Sequence, residues 1–297
     1  MGERVDVRKT YKLFIGGAWP RSESGRSYEV MSADGKFIAN AARASRKDLR
    51  DAVAAARKAW PKWAGLTAYN RGQILYRVAE VMESRRAELI HEVERAEQDQ
   101  GRHRPDPAES QVDEAIDTWV WYAGLTDKLA YMAGGLNPVA GPYFNISVPE
   151  PTGVAGIVCP ERPSLGGSCA RLAAALCGGN AVVAVASEKH PLPAITMSEC
   201  FATSDLPPGV ANILTGHKEE LVPVLAAHGD VDAIDVTGVA SKDLETVEAA
   251  AAANVKRIVR AGAAGQTRPD RRTQPARSPY EATAFMEIKT VWHPKGA

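Results

Sequence analysis

The sequence predicts an α/β fold built on a doubly wound parallel sheet, and three patterns carry that prediction. From Val154 onward, short β-rich runs alternate with helix-length segments. Strands separated by helices need right-handed crossovers, which produce a parallel sheet. Ahead of them lie helical stretches whose apolar residues recur along one face. After them, the last apolar stretch alternates with period two, as a strand does.

In chain order, Leu13–Trp19 reads as a hairpin, two short apolar runs around Gly16 and Gly17. A first helix is expected over Lys47–Trp60, with Leu49, Val53, Ala54 and Trp60 as its apolar positions. A second begins at Asn70 as N-cap, with Gln73 in capping-box position, and runs on through Ile74, Leu75, Val78, Val81, Met82, Leu89, Ile90 and Val93. A third covers Ser110–Met132, its aromatics Trp119, Trp121 and Tyr122 serving as core and interface anchors. Lys128–Glu150 reads as a protruding antiparallel ribbon. The strands of the sheet are expected at Val154–Val158, Ala181–Val185, Val210–Leu214, Ala233–Val236 and Arg257–Val259. The helices between them are expected near Ser164–Cys177, Leu192–Ser204, Lys218–His228 and Lys242–Ala253. Gln266–Thr283 has little to bury and reads as a linker, with Arg271 and Arg272 solvated. A final strand follows, with Phe285, Glu287, Lys289 and Val291 alternating with Met286, Ile288 and Trp292. A lone strand beyond a linker must join some sheet.

Composition narrows the function. The 36 basic and 36 acidic residues cancel, so no global field favours nucleic acid or an anionic membrane. No apolar run approaches the ~20 residues of a spanning helix, and Met1–Lys12 lacks the apolar stretch of a signal peptide, so a cytoplasmic location is expected. Cys159, Cys169, Cys177 and Cys200 form no Cys-x-x-Cys pair and have no histidine at metal-ligand spacing. They read as small buried hydrophobes, with no disulfide and no metal site expected.

Taken in order, several phrases resemble the aldehyde dehydrogenase family. Leu13–Trp19 resembles its opening hairpin, and Asn70-Arg71-Gly72 with Ile74-Leu75 the start of its long helix. Glu150-Pro151-Thr152-Gly153-Val154-Ala155-Gly156 is similar to the strand that leads into its active-site loop. The passage Ala173–Val183, with Gly178-Gly179-Asn180, matches a helix-to-strand junction of its Rossmann-like nucleotide fold. Leu206-Pro207-Pro208-Gly209-Val210-Ala211-Asn212 matches another family phrase, and Thr237-Gly238 stands in its Phe-Thr-Gly-Ser. Phe285–Pro294 resembles its final assembly strand.

The departures from the family pattern are chemical. In the family a cysteine thiolate attacks the aldehyde, hydride passes to the nicotinamide, and a glutamate activates the hydrolytic water. The resemblance places Arg162 where the oxyanion asparagine belongs and Ala261 where the general base belongs, within Ala261-Gly262-Ala263-Ala264. The nucleophile should follow that motif in a separate domain, but no cysteine occurs after Cys200 and Gln266–Thr283 stands in that domain's place. Cys159 is the remaining nucleophile candidate, with Arg162 near enough in sequence to lower its pKa. No residue is therefore assigned a catalytic role. The family's Lys-Pro-Ser-Glu, which holds the adenosine ribose, reads Val185-Ala186-Ser187-Glu188, and Val239 replaces the serine set against the pyrophosphate. Glu188, Gly216 and Gly238 remain as vestigial cofactor contacts; no cofactor is required, and NAD is expected to bind weakly.

The resemblance is nearest to the cysteine-less second module of two-module aldehyde dehydrogenases. It implies a division into N-terminal hairpin and helices (1–127), oligomerisation ribbon (128–150), nucleotide-binding core (151–265), linker (266–283) and C-terminal oligomerisation strand (284–297). The function it implies is a non-catalytic subunit that assembles with, and supports or regulates, a full-length aldehyde dehydrogenase, or that assembles with itself. Two alternatives stand beside it: an NAD(P)-dependent aldehyde oxidoreductase with an unrecognised nucleophile, and a nucleotide sensor using Glu188.

Overall fold

The computed structural model describes residues 9–32, 34–97, 107–261 and 277–295. The chain opens on a small sheet of β1 (Thr10–Tyr11), β2 (Ser27–Met31) and β3 (Phe37–Ala42), ordered β1-β3-β2. Between β1 and β2 the expected hairpin forms. Ile15 and Ala18 exchange backbone hydrogen bonds across Gly16 and Gly17, whose φ angles of 62° and 82° are left-handed. Two consecutive positive φ values are what a tight hairpin turn of this kind demands, hence the glycine pair. The hairpin is not free-standing: Phe14 and Ile213 exchange hydrogen bonds, so it shields an edge of the main sheet.

Helix α1 (Arg46–Ala64) is longer than expected at both ends; Ser45 and Asp48 form a reciprocal capping box that starts it early, and it runs on through Pro61 to the C-cap Gly65. The second helix is two. α2 (Ala68–Ser84) is capped by Thr67, not Asn70, whose own N–H is the one bonded to the Thr67 hydroxyl at 3.2 Å. α3 (Arg86–Glu97) follows after a break at Arg85. The third helix likewise stops at α4 (Ala108–Leu125) and resumes as the short α5 (Leu129–Ala133). The apolar period runs through both breaks because the paired helices turn the same face to the core.

The ribbon consists of β4 (Gly135–Asn137) and β5 (Tyr143–Pro151). The core then alternates β6 (Val154–Val158), α6 (Ser164–Cys177), β7 (Ala181–Val185), α7 (Leu192–Ala202), β8 (Ala211–Leu214), α8 (Lys218–Ala227), β9 (Ala233–Asp235), α9 (Leu244–Ala252) and β10 (Arg257–Val259). All five strands pair in parallel in the order β10-β9-β6-β7-β8. Side chains alternate between two layers. Ile157, Val182, Ala184 and Ile213 pack with Leu172, Trp119 and Leu75, whereas Val154, Val158, Val183 and Leu214 pack with Leu49, Leu225 and Val247. The α/β, doubly wound class is therefore observed.

Of the expected linker, residues 266–276 lie outside the described residues, and its last part is structured. Ser278 caps α10 (Pro279–Thr283), its hydroxyl accepting from the Tyr280 N–H. Five residues are too few to display a helical period, and so the sequence reads as loop. The chain then enters β11 (Met286–Pro294), which pairs antiparallel with β5 along its whole length, from Met286 opposite Pro151 to Pro294 opposite Tyr143. The sheet order is β11-β5-β4.

Candidate functional site

In an open parallel sheet, ligands bind outside the carboxyl ends of the strands, where the strand order reverses. Here that point lies between β6 and β9, since the chain proceeds from β6 to β7 and β8 and then returns to the other side of β6. Four loops leave this edge, after β6, β7, β8 and β9, and they bring together Glu161, Glu188, Gly216, Lys218 and Gly238.

Glu188 follows β7. Its carboxylate accepts the Lys218 N–H at 2.8 Å and lies 2.8 Å from His217 Nδ1. It thus takes the first amide of α8, where the helix dipole favours an anion. Gly216, with φ at 147°, makes the turn that delivers His217 and Lys218 to this position. The Lys218 ammonium spans the crevice: it donates to the Cys159 carbonyl at 2.7 Å and the Gly238 carbonyl at 3.2 Å, and pairs with the Glu161 carboxylate. Glu161 in turn accepts from the Ser187 hydroxyl at 2.7 Å and the Lys189 N–H at 3.0 Å. Burial by itself would raise the Glu161 pKa, but Lys218, the Lys189 N–H and Ser187 outweigh it and hold the carboxyl below its usual range. Gly238 donates to the Val158 carbonyl at 2.9 Å, and a Cβ on it would fall 2.0 Å from the Cys159 oxygen, so only glycine fits.

The three positions expected to contact a cofactor therefore sit on one edge, Glu188 and Gly216 together and Gly238 across from them. The residues that join them, Lys218 and Glu161, escape sequence reasoning. The signal available was a lysine closing a tight glycine turn and an acid next to Arg162 in the loop after β6. Val239 does not sit at a helix N-terminus; it lies in a turn, and α9 starts only at Leu244, where no side chain caps it.

The candidate catalytic positions look different again. Cys159 is buried, and burial pushes its thiol up to about 11 against smaller opposing pulls from Ser168 and Lys218. Arg162 does not serve it: the guanidinium Nε donates to His190 Nε2 at 3.2 Å. Cys169 and Cys200 are pushed up to about 12 by burial, and burial raises Cys177 as well. The amides that open α6 are also engaged, Ser164 N–H with the Glu97 carboxylate at 2.7 Å and Leu165 N–H with Gln111 Oε1 at 3.1 Å. Ala261 is exposed, and residues 262–264 of its motif lie outside the described residues. Among the described residues there is no cluster of His, Cys, Asp or Glu able to hold a metal ion, and no helix long and apolar enough to cross a membrane.

A five-stranded parallel sheet with this reversal, wrapped by helices on both faces, defines the chain as a nucleotide-fold α/β protein. The comparisons with known proteins are more specific. Residues 19–264 match the aldehyde dehydrogenase family model. Human retinal dehydrogenase 2 is 34% identical over 260 residues, covering 86% of this chain and 48% of its own length. Mouse cytosolic 10-formyltetrahydrofolate dehydrogenase is 32% identical over 261 residues, covering 86% of this chain and 28% of its own. Among solved structures, HpcC from Thermus thermophilus superposes with a TM-score of 0.78 at 28% identity, over 85% of this chain and 48% of that one. The NAD+ complex of aldehyde dehydrogenase from Bacillus cereus gives 0.77 at 25% identity, over 85% and 50%. The chain belongs to the aldehyde dehydrogenase family. It spans about half the length of the retinal dehydrogenase it matches, 48%.

Proposed function

We propose that the chain is a non-catalytic aldehyde-dehydrogenase-like subunit that assembles with a full-length relative and supports or regulates it. The observation that carries this reading is the state of the four cysteines. All are buried and every thiol is pushed above its ordinary pKa, so none offers the exposed thiolate that attack on an aldehyde needs. Arg162 at the oxyanion position is spent on His190, and Ala261 has no proton to exchange.

Assembly is supported by the ribbon. Across β11, β5 and β4, Val291 faces Ile146 and Ile146 faces Leu136; directly opposed residues share a face of the sheet. Phe144 and Val148 extend the same face, and Leu136 and Val291 are 67% and 55% exposed. Contiguous apolar surface of this kind marks interaction sites. The test is purification from the native cell under mild conditions, with assays of the complex and of the isolated chain. The expected result is a stoichiometric full-length aldehyde dehydrogenase in the complex and no NAD(P)-dependent aldehyde oxidation by the chain alone. Saturable oxidation by the isolated chain, lost in Cys159→Ala, would overturn the reading.

A further inference from the structure

The fold family implies a dinucleotide at the edge where β6 and β9 diverge, and the residues present do not fit one. Three requirements fail. A pyrophosphate needs free N–H groups at a helix start, yet the first amide of α8 is taken by Glu188 and α9 begins five residues beyond Val239. A ribose needs side-chain hydrogen-bonding partners, yet the donor lysine of the family phrase is the buried Val185 and the acceptor carboxylate of Glu188 is already engaged with His217 and Lys218. A dinucleotide also needs space, yet the β6 and β9 loops touch, with Gly238 N–H bonded to Val158 and the Lys218 ammonium between the Cys159 and Gly238 carbonyls.

We infer that the chain has closed its own dinucleotide crevice with an internal plug, in which Lys218 and Glu161 tie the four strand-end loops together in place of a cofactor. The plug is chemically consistent. A single ammonium satisfies two carbonyls that would otherwise face the crevice, and a single carboxylate collects the Lys218 charge together with donors from the β7 loop. The backbone donors that a diphosphate would need at this edge are thus already spent on Glu161 and Glu188. A cleft of about 520 Å³ does exist, but at the opposite edge of the sheet, lined by Trp60, Arg71, Pro151 and Met286. This inference goes beyond the subunit reading, because a chain with an open crevice could serve as a subunit equally well.

The test is calorimetric titration of NAD and NADP into the intact chain and into the double variant Glu161→Ala/Lys218→Ala. Removing both partners avoids leaving a stranded charge that would destabilise the fold. The intact chain should show no saturable binding tighter than about 1 mM, and the double variant should bind at least about tenfold more tightly. Low-micromolar binding by the intact chain, or a double variant that folds and binds no better than the intact chain, overturns the inference. A second measurement needs no variant: amine acetylation of the intact chain, followed residue by residue by mass spectrometry. Lys218 should label slowly and at a rate unmoved by saturating NAD; an NAD-dependent change at Lys218 overturns the plug. Binding without aldehyde turnover would sink this inference alone and leave the subunit reading standing.

Discussion

Among the contacts that fasten the segment returning from residue 277 to the nucleotide domain is a buried guanidinium, and its removal should be measurable. Arg171, on α6, is 5% exposed and pairs with both Asp235, at the end of β9, and Glu281, on α10. Its plane also lies 5.5 Å from the ring of the fully buried Phe285. Burial opposes the charge, but Asp235 and Glu281 outweigh it and leave Arg171 held more firmly protonated than usual. In Glu281→Gln the cation keeps Asp235, so the loss is that of one charge-assisted hydrogen bond, about 2 kcal/mol. Arg171→Met instead strands a completely buried aspartate together with Glu281, and breaking a buried pair this way costs about 3–5 kcal/mol. For a chain of this size about 2–4 °C of Tm accompanies each kcal/mol. Glu281→Gln should therefore lower Tm by about 4–8 °C and Arg171→Met by more, about 6–20 °C. Calorimetric scans at low and high salt provide the assay, and the two decrements should persist at high salt because the pair is shielded from ions. Equal Tm values for the intact chain and Arg171→Met would refute the claim that this guanidinium seals the return segment.

Two further outcomes follow from the same physics. Truncation after Thr283 removes the buried Phe285 and Met286 and leaves β5 with an open edge, so the shortened chain should turn insoluble or leave its complex; a soluble truncate with undiminished partner binding in sedimentation runs would count against assembly through β11. Lys256 is buried with its ammonium on the His228 and Val231 carbonyls, and burial brings its pKa down from 10.5 to about 8. Because the folded value lies below the unfolded one, the ammonium penalises folding in full below about pH 8, and the penalty fades as pH rises toward the unfolded value. Urea midpoints of the intact chain should accordingly gain on those of Lys256→Met between neutral pH and about pH 10; parallel pH profiles would exclude the effect.

The main strands were legible because β6 and β7 are covered on both faces and read as unbroken apolar runs. The β5–β11 pairing was legible from the alternation of Phe285–Trp292 and from the need of a lone strand for a sheet. What stayed hidden was tertiary. The break at Arg85 leaves no mark in the apolar period, since α2 and α3 both face the same core. Thr67 outcompetes Asn70 as a cap only because the helix starts a turn earlier than its first apolar residue suggests. At the site, Glu188, Gly216 and Gly238 could be named from the family phrases. The partnership of Glu161 with Lys218 could not, because they lie 57 positions apart, with two crossovers between them, and only the sheet brings their loops to one edge.

Under the proposed reading, that division accounts for a fold that outlasts its chemistry. In a doubly wound sheet, stability resides on the two faces, where Leu49, Leu75, Trp119 and Leu225 are fully buried, while ligands are held at the edge by loops. On the same reading, a change in a strand-end loop, such as arginine at position 162, leaves both layers untouched, whereas Val185 lies within one of them. An edge that held no ligand would expose backbone carbonyls and charged side chains that still require partners. Lys218 and Glu161 supply those partners internally, and Glu188 does so for the first turn of α8. The ribbon has no comparable internal solution. Its three strands carry Leu136, Ile146 and Val291 on an uncovered face, and exposed apolar surface of that kind calls for a covering layer. In the proposed assembly that layer comes from a second chain, so the surfaces under continuing physical constraint are the two faces of the sheet and the ribbon, and the crevice is not among them.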